Sequence, residues 1–277
     1  MGYRVQPATA SDSASLARIE KRAFNDPNNA ADELGRLLAT DPLTASIDDE
    51  EKARLAVQRF RAFFDDADFV VVKVVQVPDH PAQSEGEGEG ERAEAEAEAE
   101  AVAFSVWIRP VLGGIKTRPC PRSDEQAKKD EDEDDEETKR RKKDALWARF
   151  SAAIDRKREE VMGTRPHWFL KLLCVDPAHQ RRGVGTMLLD WGLQRAMDNA
   201  DEVPGPFSVY LESSPAGEGA YVKAGFKVMG HDRIDEPRAQ RGYLQWPYMI
   251  RSPPAPVCQR GLHRGANRAQ PQQQQQA

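Results

Sequence analysis

Apolar and polar residues alternate in a way that predicts seven strands. Residues 69–77 are dense in valine and lie between two aspartates and a proline, which is typical of a strand buried on both faces. We predict the other strands at 3–6, 101–108, 167–175, 207–211, 243–250 and from 226 onward. Pro247 should push the last strand to an edge or a bulge, because proline has no N–H to donate.

Apolar residues three and four positions apart predict amphipathic helices between these strands. The first helix should follow residues 9–12, which have the spacing of a capping box with Asp12 in the place of the usual glutamate. Residues 146–161 should form a helix whose apolar face docks on the domain. Further helices are predicted at 49–64, 184–197 and 216–224.

Three biased segments interrupt this pattern. Glu-Gly and Glu-Ala repeats fill 82–101, and 122–143 joins an acidic block to the basic run 139–143. We interpret both as solvated low-complexity insertions, and the Pro/Gln-rich residues 252–277 as a disordered tail, because such segments bury little apolar surface. Residues 1–251 are then a single domain with roughly 200 core-forming residues.

Charge and cysteine content narrow the function classes. The net charge of −6 disfavours direct binding to nucleic acid, and no apolar run is long enough to span a membrane. The cysteines are three and scattered, so neither disulfides nor a metal site are expected. We therefore expect a cytoplasmic protein, or a nuclear one if the run 139–143 is a localisation signal; nothing indicates an oligomeric state.

The turn between the strand 167–175 and the helix 184–197 carries candidate chemistry. Residues 180–186 read Gln-Arg-Arg-Gly-Val-Gly-Thr. Gly183 and Gly185 let the backbone approach a bulky anion, and the first helical turn presents unpaired N–H groups and the positive end of the helix dipole. Arg181 and Arg182 add charge, and Thr186 adds a hydroxyl. The sequence therefore predicts a phosphate-binding turn.

Other phosphate-binding motifs fit this turn less well. A P-loop needs a Gly-Lys-Ser/Thr that is missing here. The dinucleotide fingerprint matches Gly183 and Gly185, but Leu188 occupies its third glycine position and the acidic candidate Glu212 comes too late. A tight strand-to-helix turn that binds no ligand would explain the two glycines but not the neighbouring arginines.

Residues 172–197 resemble motif A of the GNAT N-acetyltransferase superfamily, whose pattern is Gln/Arg-x-x-Gly-x-Gly/Ala and is matched by Gln180, Gly183 and Gly185. Residues 221–226 resemble a second patch of the family, a tyrosine followed five positions later by the phenylalanine of a Gly-Phe pair. Ser214 stands where many relatives carry asparagine, and Ala220 replaces a common leucine.

The resemblance implies an α/β GNAT acyltransferase fold, with a mixed, mostly antiparallel central sheet whose fourth and fifth strands splay apart between flanking helices. It also implies acetyl-CoA as co-substrate, with the pyrophosphate on the N–H groups of 181–186 and the pantetheine along the fourth strand. The cofactor-binding residues expected from it are Leu173, Cys174, Val175, Gln180, Arg181, Arg182, Gly183, Val184, Gly185, Thr186 and Ser214.

The activity implied is transfer of the acetyl group to a primary amine, on a protein or a small molecule, by direct attack in a ternary complex. Tyr221 matches the family's proton donor to the leaving thiolate, and Glu212, at the end of the fifth strand, is our candidate base. Glu218 and Asp176 are rival bases. Cys174 is expected to be a small buried hydrophobe rather than a nucleophile.

A function of another class remains open. The same fold could serve as a non-catalytic acyl-CoA-binding or interaction protein, with its charged insertions recruiting partners. Tyr221 favours the enzyme, because an interaction protein has no need of a proton donor at that position.

Overall fold

The computed structural model describes residues 2–24, 33–41, 47–77, 100–115, 145–198 and 207–253. The predicted insertion at 122–143 lies outside these ranges, as do most of the insertion 82–101 and most of the tail 252–277. The single-domain boundaries therefore stay a prediction. Ala101 is the first residue of a strand and is buried, so the first insertion ends before it.

Seven strands form one sheet in the order β1-β2-β3-β4-β5-β7-β6. Neighbouring strands are antiparallel except β4 and β5, which are parallel. The predicted mixed, mostly antiparallel sheet is confirmed. The strands are β1 Gly2–Pro7, β2 Phe69–Val77, β3 Ala101–Ile108, β4 Trp168–Val175, β5 Val209–Glu212, β6 Lys227–Asp235 and β7 Tyr243–Arg251.

Pro247 does not place β7 at an edge, because β7 lies between β5 and β6. The proline carbonyl accepts the N–H of Ser213 just beyond the end of β5 (3.0 Å), so the missing N–H falls where pairing with β5 stops. A bulge does occur nearby, but on β6, where the register shifts between Val228 and Gly230.

Six helices accompany the sheet in the described ranges: α1 Ser13–Phe24, α2 Glu33–Ala39, α3 Asp49–Phe64, α4 Leu146–Met162, α5 Val184–Met197 and α6 Glu218–Lys223. The predicted bounds of α3 and α5 are confirmed. The capping box before α1 is also present, since the Thr9 N–H donates to Asp12 Oδ2 at 2.8 Å. No helix among the described residues is long and apolar enough to cross a membrane, and the predicted compartment stays a prediction.

The helices cover the two faces of the sheet with separate cores. On one face α5 packs its apolar side, including Leu188, against residues such as Leu170 and Leu211. On the other face α1, α3 and the end of α4 enclose Phe104 and Tyr210. The first turns of α4 continue over β6 and β7, so the predicted docking of this helix is confirmed. The helix α4 therefore covers one face of the sheet next to β4 and β5.

Candidate active site

The strands β4 and β5 separate soon after they begin. They pair only through Trp168–Val209 and Phe169–Tyr210. On the other side of β4 the register with β3 shifts, so that Lys171 is an extra residue in β4. A bulge bends a strand, and this one lies where pairing with β5 ends. The predicted splay of the fourth and fifth strands is thus present and leaves the last residues of β4 without a strand on that side within the described chain.

The open edge of β4 directs particular backbone groups into this gap. The Asp176 N–H donates to Val102 of β3 (2.9 Å), and the Val175 carbonyl accepts from Gln180 Nε2 on the other side (3.2 Å). Because successive residues of a strand direct their backbone groups to opposite sides, Leu173 also turns its N–H and C=O toward the gap. Cys174 instead turns its backbone groups toward β3, so it differs from the other two predicted β4 contacts.

The turn after β4 exposes a row of backbone amides. Arg181 (φ 60°) and Gly183 (φ 81°) are left-handed, and the first bond of α5 runs from the Met187 N–H to the Gly183 carbonyl (3.1 Å). The amides of residues 181–186 make no hydrogen bond within the part of the chain that the structure describes. The side chains of Arg181, Arg182 and Thr186 are exposed. The arrangement fits an accessible anion site at a helix N-terminus.

Contacts to α1 and β1 hold this turn in place. Asp176 accepts the Ala178 N–H (3.0 Å) with Oδ1 and pairs with Arg22 of α1 (2.8 Å) through Oδ2. His179 Nδ1 shares a hydrogen bond with the Tyr3 hydroxyl of β1 (3.0 Å), a partner that the sequence did not predict. Both carboxylate oxygens of Asp176 are occupied, which argues against its role as a base.

The two glycines of the turn act differently. A Cβ at Gly183 would meet nothing within 4 Å, so its positive φ is the local constraint. A Cβ at Gly185 would lie 3.5 Å from Val175 Cγ2 and 3.7 Å from Leu173 Cδ2, in the space between α5 and the gap. Val184, between them, is buried in the core.

Ser214 and Tyr221 come from the segment after β5. Ser214 Oγ accepts the Gly217 N–H (3.3 Å) and so orders the turn that leads into α6. Tyr221 packs its ring edge-on to Phe226, with 5.9 Å between ring centroids. Burial, and then the nearby Cys174 thiol, raise the pKa of Tyr221, so the phenol stays protonated at neutral pH.

Glu212 lies at the carboxyl end of β5, on the face that α4 covers. Burial raises its pKa to about 8, against smaller lowering effects of the Tyr210 hydroxyl, Arg158 and Lys171 and a raising effect of Asp155. Glu212 Oε1 and Tyr210 Oη are both buried and have no well-formed hydrogen bond among the described residues. A carboxyl group that titrates near neutral pH suits general acid–base catalysis.

The other candidate groups fit catalysis less well. The Cys174 thiol is 2% exposed, and burial raises its pKa well above the usual range, so it is a poor nucleophile. Glu218 is in the first turn of α6. No cluster of His, Cys, Asp and Glu that could hold a metal ion occurs in the described ranges.

Sequence reasoning missed the contribution of α4. Arg158 is 2% exposed, pairs with Asp155 (2.8 Å) and stacks on the Phe169 ring with 4.6 Å from its Cζ to the centroid. Both residues act on Glu212. A signal was present in the chain, since Arg158 interrupts the apolar face of α4 with its partner one turn before it.

Part of the chain is similar to known acetyltransferases. Residues 152–237 match the family model of the acetyltransferase (GNAT) domain. No curated protein matches the sequence. The mosquito arylalkylamine N-acetyltransferase-like 5b has a similar structure, with a TM-score of 0.50 and 10% identity over 91% of this chain and 100% of that one. The histone acetyltransferase HPA2 and related acetyltransferase from Corynebacterium glutamicum gives a TM-score of 0.48 and 19% identity over 93% and 99%.

A third similar structure is Arabidopsis thaliana NAA60 in complex with acetyl-CoA, with a TM-score of 0.41 and 12% identity over 91% and 98% of the two chains. At 10% identity, the likeness to the mosquito structure shows the fold alone. The residues that match the family model include β4, the amide-lined turn, α5, β5 and α6. Residues 152–237 are therefore similar to the GNAT acetyltransferase domain, whose members are acyltransferases that take their acetyl group from acetyl-CoA.

Proposed function

We propose that this protein is an N-acetyltransferase that moves the acetyl group of acetyl-CoA to a primary amine by direct attack in a ternary complex. One observation carries the proposal: the gap between β4 and β5 opens next to the free amides of residues 181–186. A single extended ligand with a diphosphate at one end and a thioester at the other would span both features.

The residues on either side of the gap suit the two parts of this ligand. The N–H groups of 181–186, with Arg181 and Arg182, would hold the pyrophosphate. The backbone groups of Leu173 and the N–H of Val175 would pair with the amides of the pantetheine arm as an added strand does. The exposed Thr186 hydroxyl and Ser214, at the start of the α6 turn, would line the same path.

Two side chains would accept and donate the protons of the reaction. Acetyl-CoA would supply the thioester carbonyl that a neutral amine attacks. Glu212, with a pKa of about 8, would accept the proton that the amine loses as its nitrogen bonds to the carbonyl carbon. Tyr221 would donate its proton to the sulfur as the carbon–sulfur bond breaks, since its raised pKa keeps that proton available. The products are the acetylated amine and the free thiol.

The non-catalytic alternative predicts binding without turnover. Glu212 argues against it, because its Oε1 is buried without a well-formed hydrogen bond, which costs stability, and a merely structural position would favour an apolar residue. The charged insertions on which the alternative depends lie outside the described residues.

A calorimetric titration with acetyl-CoA, followed by a thiol-release assay over amines and lysine peptides, tests the proposal. We expect saturable binding and release of free thiol that depends on the acceptor. Binding without thiol release over the whole panel would support the non-catalytic alternative. If the folded protein does not bind acetyl-CoA, both the enzyme and the non-catalytic acyl-CoA-binding protein are excluded.

A further inference from the structure

The free amides of residues 181–186 depend for their placement on the segment in front of them. The helix α5 begins at Val184 and fixes only their far end. At the near end Arg181 has a φ of 60°, a conformation that is unfavourable for a residue other than glycine. A strained residue keeps such a conformation only where the surrounding structure imposes it. The contacts of the preceding segment therefore decide how this row of amides is presented.

The segment between β4 and Arg181 is short and internally bonded. Pro177–His179 forms one turn of 3-10 helix, and Asp176 is its N-cap. The His179 N–H donates to the Asp176 carbonyl at 2.8 Å. Only Gln180 separates this turn from Arg181, so a displacement of the turn would reach the Arg181 amide directly.

Two side chains from distant parts of the chain hold this segment, one from each face of the sheet. The Tyr3 ring packs on the core under α5, and its hydroxyl shares a hydrogen bond with His179 Nδ1 (3.0 Å). The two rings also meet edge to face, with 5.8 Å between their centroids. From the opposite face, Arg22 at the end of α1 pairs with the buried Asp176 carboxylate (2.8 Å). The segment is therefore fixed at both of its ends.

We propose that Tyr3 and Arg22 are positioning residues for acetyl-CoA, which hold the turn so that the amides of residues 181–186 converge on the diphosphate. This inference rests on the proposed function and concerns only the diphosphate end of the ligand. Both residues act through the turn and not on Glu212 or Tyr221, so their loss weakens cofactor binding and leaves the chemical step unchanged.

Positive charge alone would be a simpler reason for an arginine near an anion site, and Asp176→Asn separates the two explanations. The substitution removes a negative charge close to the diphosphate, so an effect of charge alone would tighten CoA binding. If the ion pair with Arg22 positions the turn, the same substitution should instead weaken CoA binding about 2- to 5-fold.

Calorimetry with CoA measures the contribution of each contact. Tyr3→Phe keeps the ring in the core and should weaken CoA binding about 3- to 10-fold, the value of one hydrogen bond. Arg22→Met should weaken it about 2- to 5-fold, because the arginine is half exposed, and Arg22→Lys should restore most of the affinity. Arg18→Met is the matched control: Arg18 lies one turn earlier on α1, is 52% exposed against 53% for Arg22, and pairs with Glu100 instead of the turn. It should leave CoA binding unchanged.

A thioester without the diphosphate distinguishes positioning of the turn from a general structural role. S-acetylpantetheine carries the same acetyl group and pantetheine arm as acetyl-CoA. In Tyr3→Phe and Arg22→Met, kcat/KM for S-acetylpantetheine and kcat at saturating acetyl-CoA should equal the wild-type values, while KM for acetyl-CoA rises. Damage to the fold would lower the rates with both thioesters alike.

The outcomes for this inference differ from those for the proposed function. CoA binding that weakens in Tyr3→Phe and Arg22→Met would support the inference even in a protein without turnover, in which case the proposed function alone would fail. Unchanged CoA affinity in either variant would overturn the inference for that residue, whatever the turnover. Tighter CoA binding by Asp176→Asn, an equal effect of Arg18→Met, or equal losses with both thioesters would also overturn it.

Discussion

Glu212→Gln separates the chemical role of this side chain from its shape. The substitution keeps the size and planar shape of the side chain but removes the group whose pKa burial raises to about 8. If Glu212 is the base, the wild-type rate should rise with pH up to about 8, because only the ionised carboxylate accepts a proton. The variant should lose this limb and about 10²- to 10⁴-fold in acetyl transfer, the usual value of general base catalysis.

Neighbouring charges give this prediction two opposite controls. Arg158 lowers the pKa of Glu212 and Asp155 raises it. Arg158→Met should therefore move the acidic limb of the rate profile to higher pH, and Asp155→Asn should move it to lower pH. The assay is thiol release at saturating acetyl-CoA from pH 6 to pH 9.5. If the Glu212→Gln variant keeps the wild-type rate and pH dependence, Glu212 has a structural role and is not the base.

Although Glu212→Gln should lower activity, it should raise the stability of the protein at high pH. The pKa of an ordinary glutamate is 4.5 and that of Glu212 in the folded protein is about 8, so between these values the folded state keeps a proton that the unfolded state has lost. Stability therefore falls as pH rises through this window, by about 5 kcal/mol at most. Glu212→Gln removes this cost. In denaturant unfolding, the variant should gain stability over wild type at pH 9 and not at pH 4; an identical difference at both pH values would refute the raised pKa.

Three further substitutions test other parts of the structure. Tyr221→Phe should lower acetyl transfer about 10²- to 10⁴-fold with unchanged acetyl-CoA affinity, since only the proton donor is lost; a variant with wild-type turnover would contradict this. Gly183→Val should abolish acetyl-CoA binding in calorimetry, whereas Gly113→Val, with an equally positive φ and open surroundings, should not. Gly192→Ala should destabilise the protein by about 1–3 kcal/mol, measured by denaturant unfolding, because its Cβ would lie 2.1 Å from the Trp107 ring; unchanged stability would contradict the packing of α5 on β3.

Most helices and strands were predictable because their signals are local. The apolar periods of α3 and α5 contain enough turns to define both ends, and the valine-rich β2 is bounded by turn residues. The seven residues of α2 were missed, because so short a helix hardly repeats its period. The amide-lined turn was also predictable, since glycines, arginines and a helix start lie within one short stretch.

What the sequence determined by itself was therefore which residues form most of the elements, which side of each is apolar and which turn presents free amides. Only the tertiary structure decided that β7 lies inside the sheet, that Lys171 bulges where β4 and β5 part, and that Arg158 of α4 lies near Glu212. The physical reason is that periodicity reports the face a side chain occupies, whereas strand neighbours and register depend on the packing of residues far apart in the chain. The placement of Glu212 opposite Tyr248 of β7 is also of this second kind, because it follows from a pairing that no local pattern encodes.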